Sequence, residues 1–222
     1  MIAENLRRVR ERIDAAARSA GRDPSEVRLI CVTKGITAQR IREAVAAGVR
    51  EIGENRVQEA EEKRWDLGPG LKWHLIGRLQ RNKAKLAAQL FDVIHSVDSP
   101  DLAEELEKRA ERPLEILIQV NVSGEATKGG CRPEEVEALA EALLKTKNLK
   151  WTGLMTMAPY SEDPEAARPV FRGLRELRDQ LGERFGVKLE LSMGMSGDFE
   201  TAVQEGATMV RVGTAIFGER AQ

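Results

Sequence analysis

The sequence contains few of the features that mark secreted or membrane proteins. Its 222 residues include only two cysteines, Cys31 and Cys131, whose spacing fits neither a CxxC motif nor a disulfide framework. No apolar run is long enough to span a bilayer, and the amino-terminal segment lacks the apolar stretch of a signal peptide. The lack of a disulfide framework, a membrane span and a signal peptide predicts a cytoplasmic protein without a membrane partner.

An excess of charge of one sign is also missing. The chain has 35 basic and 36 acidic residues, so its net charge of −1 argues against a dedicated binder of nucleic acid or anionic membranes. The basic segment "RLQRNKAK" has no interleaved aromatic residues, which a single-stranded nucleic-acid surface would need. We interpret it as a solvated helix face. A docking surface for a cofactor recipient is the alternative.

No linker rich in glycine, proline or serine divides the chain, so we predict a single domain over residues 1–222. An amphipathic helix begins the sequence and ends near Gly21, and helical patterns then alternate with eight short apolar runs. The runs are "VRLICVT", "VREIG", "LKWHLIG", "FDVIHSV", "LEILIQVNV", "LKWTGLMTM", "KLELSMG" and "MVRVG". Since no GxGxxG follows the first run, the pattern favours a (β/α)8 TIM-type barrel with an extra N-terminal helix over an open doubly wound sheet.

The first predicted strand ends on a lysine, because "LICVTKG" places Lys34 directly after apolar residues. Side chains alternate along a strand, so Lys34 shares a face with Ile30 and Val32. Burying an unpaired ammonium is costly. Lys34 therefore either reaches solvent or a carboxylate, or it is a desolvated nucleophile that forms a Schiff base with a carbonyl compound. Lysine imines of this kind occur in aldolases and in pyridoxal phosphate proteins.

Glycine and hydroxyl residues are concentrated where the last two predicted strands end. "LSMGMSGDF" contains Ser196 and Gly197 before a helix, and "MVRVGTAIFG" contains Gly213 and Thr214 after the eighth strand. In TIM-type barrels the loops at these positions often hold a phosphate through amide N–H groups. We therefore predict a phosphate site there, with ordinary turn and capping chemistry as the alternative.

Arg211 lies inside the last predicted strand, on the same face as Met209. A guanidinium does not lose its proton in a protein. Opposite a pyridine nitrogen it would donate a hydrogen bond and keep that nitrogen unprotonated, which discourages quinonoid chemistry. An ion pair with an acid at the barrel rim is the alternative.

Several long segments resemble the pyridoxal phosphate homeostasis proteins, which are similar to the barrel domain of fold-type III alanine racemases. They are "VTKG", "GENRVQEAEEK", "WHLIGRLQRNK", "IQVNVSGEATKGG", "GLMTMAP", "LSMGMSGDF" and "MVRVGTAIFG". The resemblance implies that Lys34 binds pyridoxal 5'-phosphate (PLP) as an internal aldimine and that Arg211 meets the pyridine nitrogen. It also implies that Ser196, Gly213 and Thr214 hold the phosphate and that Asn55 lies near the ring. Met193 and Met195 either pack beside the ring or belong to the core.

A catalytic base is hard to find in this sequence. Racemisation needs a proton donor and acceptor beside the substrate, and the single tyrosine, Tyr160, falls in a predicted surface loop. His74 and His95 lie late in predicted strands, where structural hydrogen bonding is the more common role. No paired spacing of histidine, cysteine and acids indicates a metal.

We therefore predict a non-enzymatic PLP-binding protein of intracellular PLP homeostasis, which holds PLP as a Schiff base and passes it to apo-enzymes. We expect it to be a monomer. The alternatives are a PLP-dependent amino-acid racemase and a Schiff-base barrel aldolase acting through Lys34.

Overall fold

Eight short parallel strands form a closed barrel in the computed structural model, which describes residues 1–125 and 128–219. The strands are β1 Arg28–Val32, β2 Glu51–Glu54, β3 Lys72–Leu75, β4 Val93–Val97, β5 Leu114–Gln119, β6 Leu149–Met155, β7 Glu190–Ser192 and β8 Met209–Val212. Each overlaps one of the eight apolar runs. Each strand pairs with the next, and β8 returns to pair with β1, so the predicted TIM-type barrel is confirmed.

Helices surround the barrel and connect its strands. They are α1 Ile2–Ser19, α2 Ala38–Ala46, α3 Val57–Leu67, α4 Ala84–Leu90, α5 Pro100–Arg109, α6 Val136–Leu143, α7 Arg168–Phe185, α8 Phe199–Gln204 and α9 Thr214–Phe217. The extra helix α1 buries an apolar stripe that includes Leu6, Val9 and Ile13, and it packs against α8 and α9. Within the described ranges, no helix combines the length and the apolar character needed to cross a bilayer.

Alternation along the strands produces two apolar regions. Residues such as Cys31 and Ile52 point outward into the layer between barrel and helices. Ile30 points inward, where it packs with Val93, Leu117, Met155 and Met209. The same alternation carries the inward face of β1 from Ile30 to Val32 and then to Lys34. This register sends the Lys34 side chain towards the carboxyl end of the barrel.

The barrel interior also contains charged and polar side chains. At the amino ends of the strands, Arg28 lies 2.6 Å from Glu190 and 3.4 Å from Glu51, and Lys72 lies 2.9 Å from Glu115. These pairs occupy the end of the barrel opposite Lys34. The described residues include most of the predicted domain, but residues 126, 127 and 220–222 lie outside them, and the single-domain assignment stays a prediction.

Candidate functional site

A cavity of about 290 Å³ lies at the carboxyl ends of the strands. All six residues predicted to bind a cofactor line it: Lys34, Asn55, Ser196, Arg211, Gly213 and Thr214. The remaining lining residues are Val32, Ile76, Met157, Met195 and Gly197. The lining therefore combines apolar side chains with cationic, amide and hydroxyl groups, as in a small-molecule site. The structure brings the predicted residues together; their roles towards a ligand remain predictions.

Lys34 lies just beyond β1, in a turn closed by a hydrogen bond from the Ile36 amide to the Thr33 carbonyl oxygen, 2.9 Å long. Its side chain is half-buried. Within residues 1–125 and 128–219, the Lys34 amine belongs to no ion pair, although the carboxylates of Glu54 and Glu59 accept hydrogen bonds from its neighbours, the Thr33 hydroxyl and the Gly35 amide. The alternative that Lys34 pairs with an acid is therefore not what the structure shows.

A second lysine occupies those two carboxylates. The Lys63 amine lies 2.8 Å from Glu54, 2.6 Å from Glu59 and 2.7 Å from the Thr33 carbonyl oxygen. Burial raises the pKa of Glu54, and the hydrogen bonds from Lys63 and Thr33 oppose that rise. Burial acts to raise the pKa of Glu59 too, but hydrogen bonds from Lys63 and the Gly35 amide outweigh it, so that pKa is lowered. Lys63 thus pairs with both carboxylates, and in the part of the chain that the structure describes neither of them forms an ion pair with Lys34.

Hydroxyl and amide groups form the end of the cavity after β7 and β8. The Ser196 hydroxyl lies 3.4 Å from the amide nitrogens of both Gly213 and Ala215. A side chain at Gly213 would place its Cβ 3.1 Å from the Val32 carbonyl oxygen, so glycine permits this close approach to β1. Amide donors and a hydroxyl that converge in this way suit the oxygens of a phosphate.

Arg211 is almost fully buried, with 3% of the residue exposed. It donates one hydrogen bond to the Ser192 hydroxyl, 2.6 Å away, and another to the Thr156 carbonyl oxygen, 2.9 Å away. Burial lowers the pKa of Arg211 to about 10, and the charge of Asp198 opposes that effect. Arg211 is therefore still a cation at neutral pH. Because its described partners are neutral acceptors, the alternative of a rim ion pair is not observed.

Comparison with known proteins identifies the family of this chain. Residues 4–221 match the family described as alanine racemase, N-terminal domain. The pyridoxal phosphate homeostasis protein of Aquifex aeolicus is 49% identical over 222 residues, which are 98% of this chain and 97% of that protein. Its namesake in Pseudomonas aeruginosa is 47% identical and aligns over 99% of this chain and 96% of its own length. The chain belongs to the pyridoxal phosphate homeostasis protein family.

Solved structures show the same barrel. PipY of Synechococcus elongatus PCC7942, solved with PLP bound, is 40% identical, with a TM-score of 0.86 over 98% of this chain and 100% of that chain. An alanine racemase from Clostridium difficile is 17% identical, with a TM-score of 0.75 over 99% of this chain and 58% of the racemase. At that identity the likeness to the racemase shows the fold alone.

Most of the other candidates lie outside the cavity in this member of the pyridoxal phosphate homeostasis protein family. Tyr160 is 91% exposed in the segment that follows β6. His74 and His95 are fully buried inside the barrel and hydrogen-bond to each other. Met193 belongs to the outer core, whereas Met195 lines the cavity. Among residues 1–125 and 128–219, no cluster of three or more histidines, cysteines and acids has an arrangement suited to a metal ion.

Several residues of the site are not among those predicted from the sequence. Ile76 and Met157 line the cavity, and the alternation of β3 and β6 carried beyond the strand ends would have identified both. Glu54, Glu59 and Lys63 all lie within "GENRVQEAEEK", where only Asn55 was singled out. The i,i+4 spacing of Glu59 and Lys63 was visible in that segment. The contact of Lys63 with Thr33 was not, because it joins two separate elements.

Proposed function

We propose that this protein is a non-catalytic PLP-binding protein of intracellular PLP homeostasis and that Lys34 is its covalent attachment point. The observation that carries the proposal is the convergence of a free strand-end amine, a buried arginine and a set of hydroxyl and amide donors on one cavity of about 290 Å³. The PLP bound in the structure of PipY, a relative with 40% identity, supports it.

The residues that line the cavity suit the chemical groups of PLP. PLP supplies an aldehyde carbon, with which the Lys34 amine forms a C=N bond with loss of one water molecule. The Ser196 hydroxyl, the Thr214 hydroxyl and the amides near Gly213 suit its phosphate oxygens. Arg211 has donor groups only, so it can offer a hydrogen bond to an unprotonated ring nitrogen but cannot give it a proton. Asn55 lines the same cavity and can contact the ring.

The surroundings of the cavity support a holding role rather than turnover. A racemase or transaminase needs a proton carrier beside the substrate carbon. The single tyrosine is exposed in a loop, and burial lowers the pKa of both His74 and His95, which lie inside the barrel. Arg211 also disfavours protonation of the ring nitrogen, which a transaminase uses to delocalise the negative charge of the substrate carbon. We therefore expect no amino-acid racemisation at ordinary enzymatic rates.

We propose further that the protein is a cytoplasmic monomer and that PLP-dependent apo-enzymes receive the cofactor from it. Cys31 and Cys131 are buried free thiols, which is typical of a reducing compartment. Burial raises the pKa of each thiol to about 12, so neither is a reactive thiolate at neutral pH.

The decisive experiment traps the adduct. The wild-type protein, Lys34→Ala and the control Lys85→Ala are incubated with PLP, reduced with borohydride and analysed by intact and peptide mass spectrometry. We expect one added PLP in the wild type and the control, located on Lys34, and none in Lys34→Ala. An adduct of unchanged stoichiometry in Lys34→Ala would reject the assignment.

Two further assays separate the alternatives. A violet-absorbing chromophore that vanishes in Lys34→Ala supports PLP binding, whereas an aldolase would be colourless as purified. Racemisation of alanine followed by circular dichroism tests the racemase alternative, and ordinary turnover by the wild-type protein would overturn the holding role.

A further inference from the structure

A row of buried polar side chains crosses the barrel interior from the cavity to the opposite end. It begins at Arg211, whose guanidinium lies 2.6 Å from the Ser192 hydroxyl. The Ser192 hydroxyl lies 2.8 Å from Nδ1 of His95, and Nε2 of His95 lies 2.9 Å from Nδ1 of His74. Nε2 of His74 lies 2.9 Å from the Glu51 carboxylate, although the ring N–H does not point directly at it.

The two histidines and Ser192 have no exposed surface, or almost none, so each polar atom must find its partner within the protein. Glu51 is the first residue of β2 and lies among the charged side chains at the amino end of the barrel. Arg211 lies near the carboxyl end. The row therefore connects the two ends of the barrel through its interior.

The chemistry of the end groups sets a direction for these hydrogen bonds. Arg211 can only donate, and the Glu51 carboxylate can only accept. If the Ser192 hydroxyl accepts from Arg211 and donates to Nδ1 of His95, then His95 carries its proton on Nε2. His95 then donates to Nδ1 of His74, which in turn carries its proton on Nε2, the ring nitrogen that lies 2.9 Å from the Glu51 carboxylate. The opposite direction would leave a ring lone pair facing a carboxylate.

The charge states agree with this direction. Burial lowers the pKa of both His74 and His95, so both are neutral at pH 7. Burial acts to raise the pKa of Glu51, but His74, Arg28 and Lys72 outweigh it and the pKa is lowered. The row thus has a cation at one end, an anion at the other and neutral groups between them. Hydrogen bonds in such a row polarise and strengthen one another.

We propose that Ser192, His95, His74 and Glu51 form an oriented chain of polar contacts that positions the Arg211 guanidinium from the far end of the barrel. Ser192 and the two histidines are positioning residues, since they act on the cavity through Arg211. The charge of Asp198 also acts on this buried cation, but the only carboxylate of the chain of contacts itself, Glu51, lies at the end away from the cavity. An adjacent carboxylic acid could protonate a ring nitrogen, whereas this chain presents only guanidinium donors to the cavity. Its effect on the ligand rests on the proposed function, since it assumes PLP in the cavity.

The orientation can be tested in the ligand-free protein. The whole protein contains only two histidines, so ¹⁵N-histidine labelling gives two assignable side chains. Long-range ¹H–¹⁵N NMR spectra at pH 7 distinguish the two neutral tautomers and the imidazolium. We expect both histidines to be neutral and protonated on Nε2. A proton on Nδ1 of either ring, or a charged ring, would overturn the proposal.

The effect on the ligand is tested with the PLP-loaded protein. Ser192→Ala breaks the chain at Arg211, and we expect about a tenfold rise in the Kd for PLP and a shifted absorbance maximum. Glu51→Gln removes the distant charge and is expected to raise Kd by about threefold. Glu115→Gln is the matched control, because Glu115 lies at the same end of the barrel but pairs with Lys72 outside the chain.

If Glu51→Gln and Glu115→Gln raised the Kd for PLP equally, the chain from Glu51 to Arg211 could not be the cause of the weaker binding, and the proposal would be refuted. Failure of the wild-type protein to bind PLP would refute the proposed function instead. In that case the two histidine signals would still decide the orientation of the chain.

Discussion

Lys63 and Glu54 form a buried ion pair beside the cavity, with the Lys63 amine 2.8 Å from the carboxylate and only 11% and 0% of the two side chains exposed. Lys63 belongs to α3 and Glu54 ends β2, and the same amine also bonds the Thr33 carbonyl oxygen next to Lys34. The pair therefore ties a helix and two strand ends together next to Lys34.

Removing one partner of this pair should destabilise the fold. Lys63→Met leaves the Glu54 carboxylate buried without its cation, and we expect a loss of about 3 kcal/mol in the free energy of unfolding, measured by urea denaturation. Lys108→Met is the matched control, because Lys108 makes a pair of the same 2.8 Å length with Glu104 but is 55% exposed. We expect the control to unfold at nearly the wild-type midpoint. Equal midpoints for the two variants would show that burial of the Lys63 pair has no energetic weight.

The hydroxyl of Ser196 should matter for the phosphate alone. Ser196→Ala removes the group that lies 3.4 Å from two amides, and we expect about a tenfold weaker affinity for PLP. The affinity for pyridoxal, which has no phosphate, should stay unchanged. Equilibrium dialysis of both ligands against wild type and variant makes the comparison. A similar loss for pyridoxal would place Ser196 at the ring or aldehyde end of the cavity.

Gly77 should be essential for the position of Asn55. A Cβ at Gly77 would lie 2.2 Å from the Asn55 carbonyl oxygen, a distance that only a backbone shift can relieve. We expect Gly77→Ala to lower the free energy of unfolding by about 2 kcal/mol, as overpacking does. Gly197→Ala is the control, because a Cβ there meets nothing within 4 Å. Thermal and urea unfolding of the two variants should differ clearly; matching curves would contradict the close approach.

Glu205 should contribute stability that depends on pH. Arg168, Arg172 and Arg175 lie 3.0, 3.2 and 2.9 Å from its carboxylate, and their hydrogen bonds and charges lower the pKa of Glu205 although burial acts to raise it. The unfolded chain therefore binds the proton more tightly than the folded protein. The contribution is complete above the unfolded pKa of about 4.5 and is lost as the pH falls through the lower folded value.

Comparison with Glu205→Gln measures this contribution. The free energy of unfolding of wild type minus that of the variant should be largest at pH 7 and should shrink as the pH is lowered towards 3. A difference that stays constant between pH 7 and pH 3 would show that the carboxylate charge is not the stabilising element.

Much of the fold and the site could be predicted because they depend on local periodicity. The eight apolar runs predict strands, and alternation within "LICVTKG" and "MVRVG" places Lys34 and Arg211 on inward faces. Parallel strands in a barrel bring their carboxyl ends to one side, so residues after different strands converge. The six predicted residues lie around one cavity for this reason.

The sequence alone determined that strands and helices alternate, that the strands form a closed barrel and that a lysine, an arginine and hydroxyl groups lie at one end of it. Only the tertiary structure decided which polar groups contact one another. His95 and Ser192 are 97 residues apart, and Thr33 and Lys63 are 30 apart, yet each pair is in hydrogen-bond contact. Periodicity gives the direction of a side chain, but its partner depends on how separate elements pack. The pairing of Glu54 and Glu59 with Lys63 and the row of groups behind Arg211 are consequences of that packing.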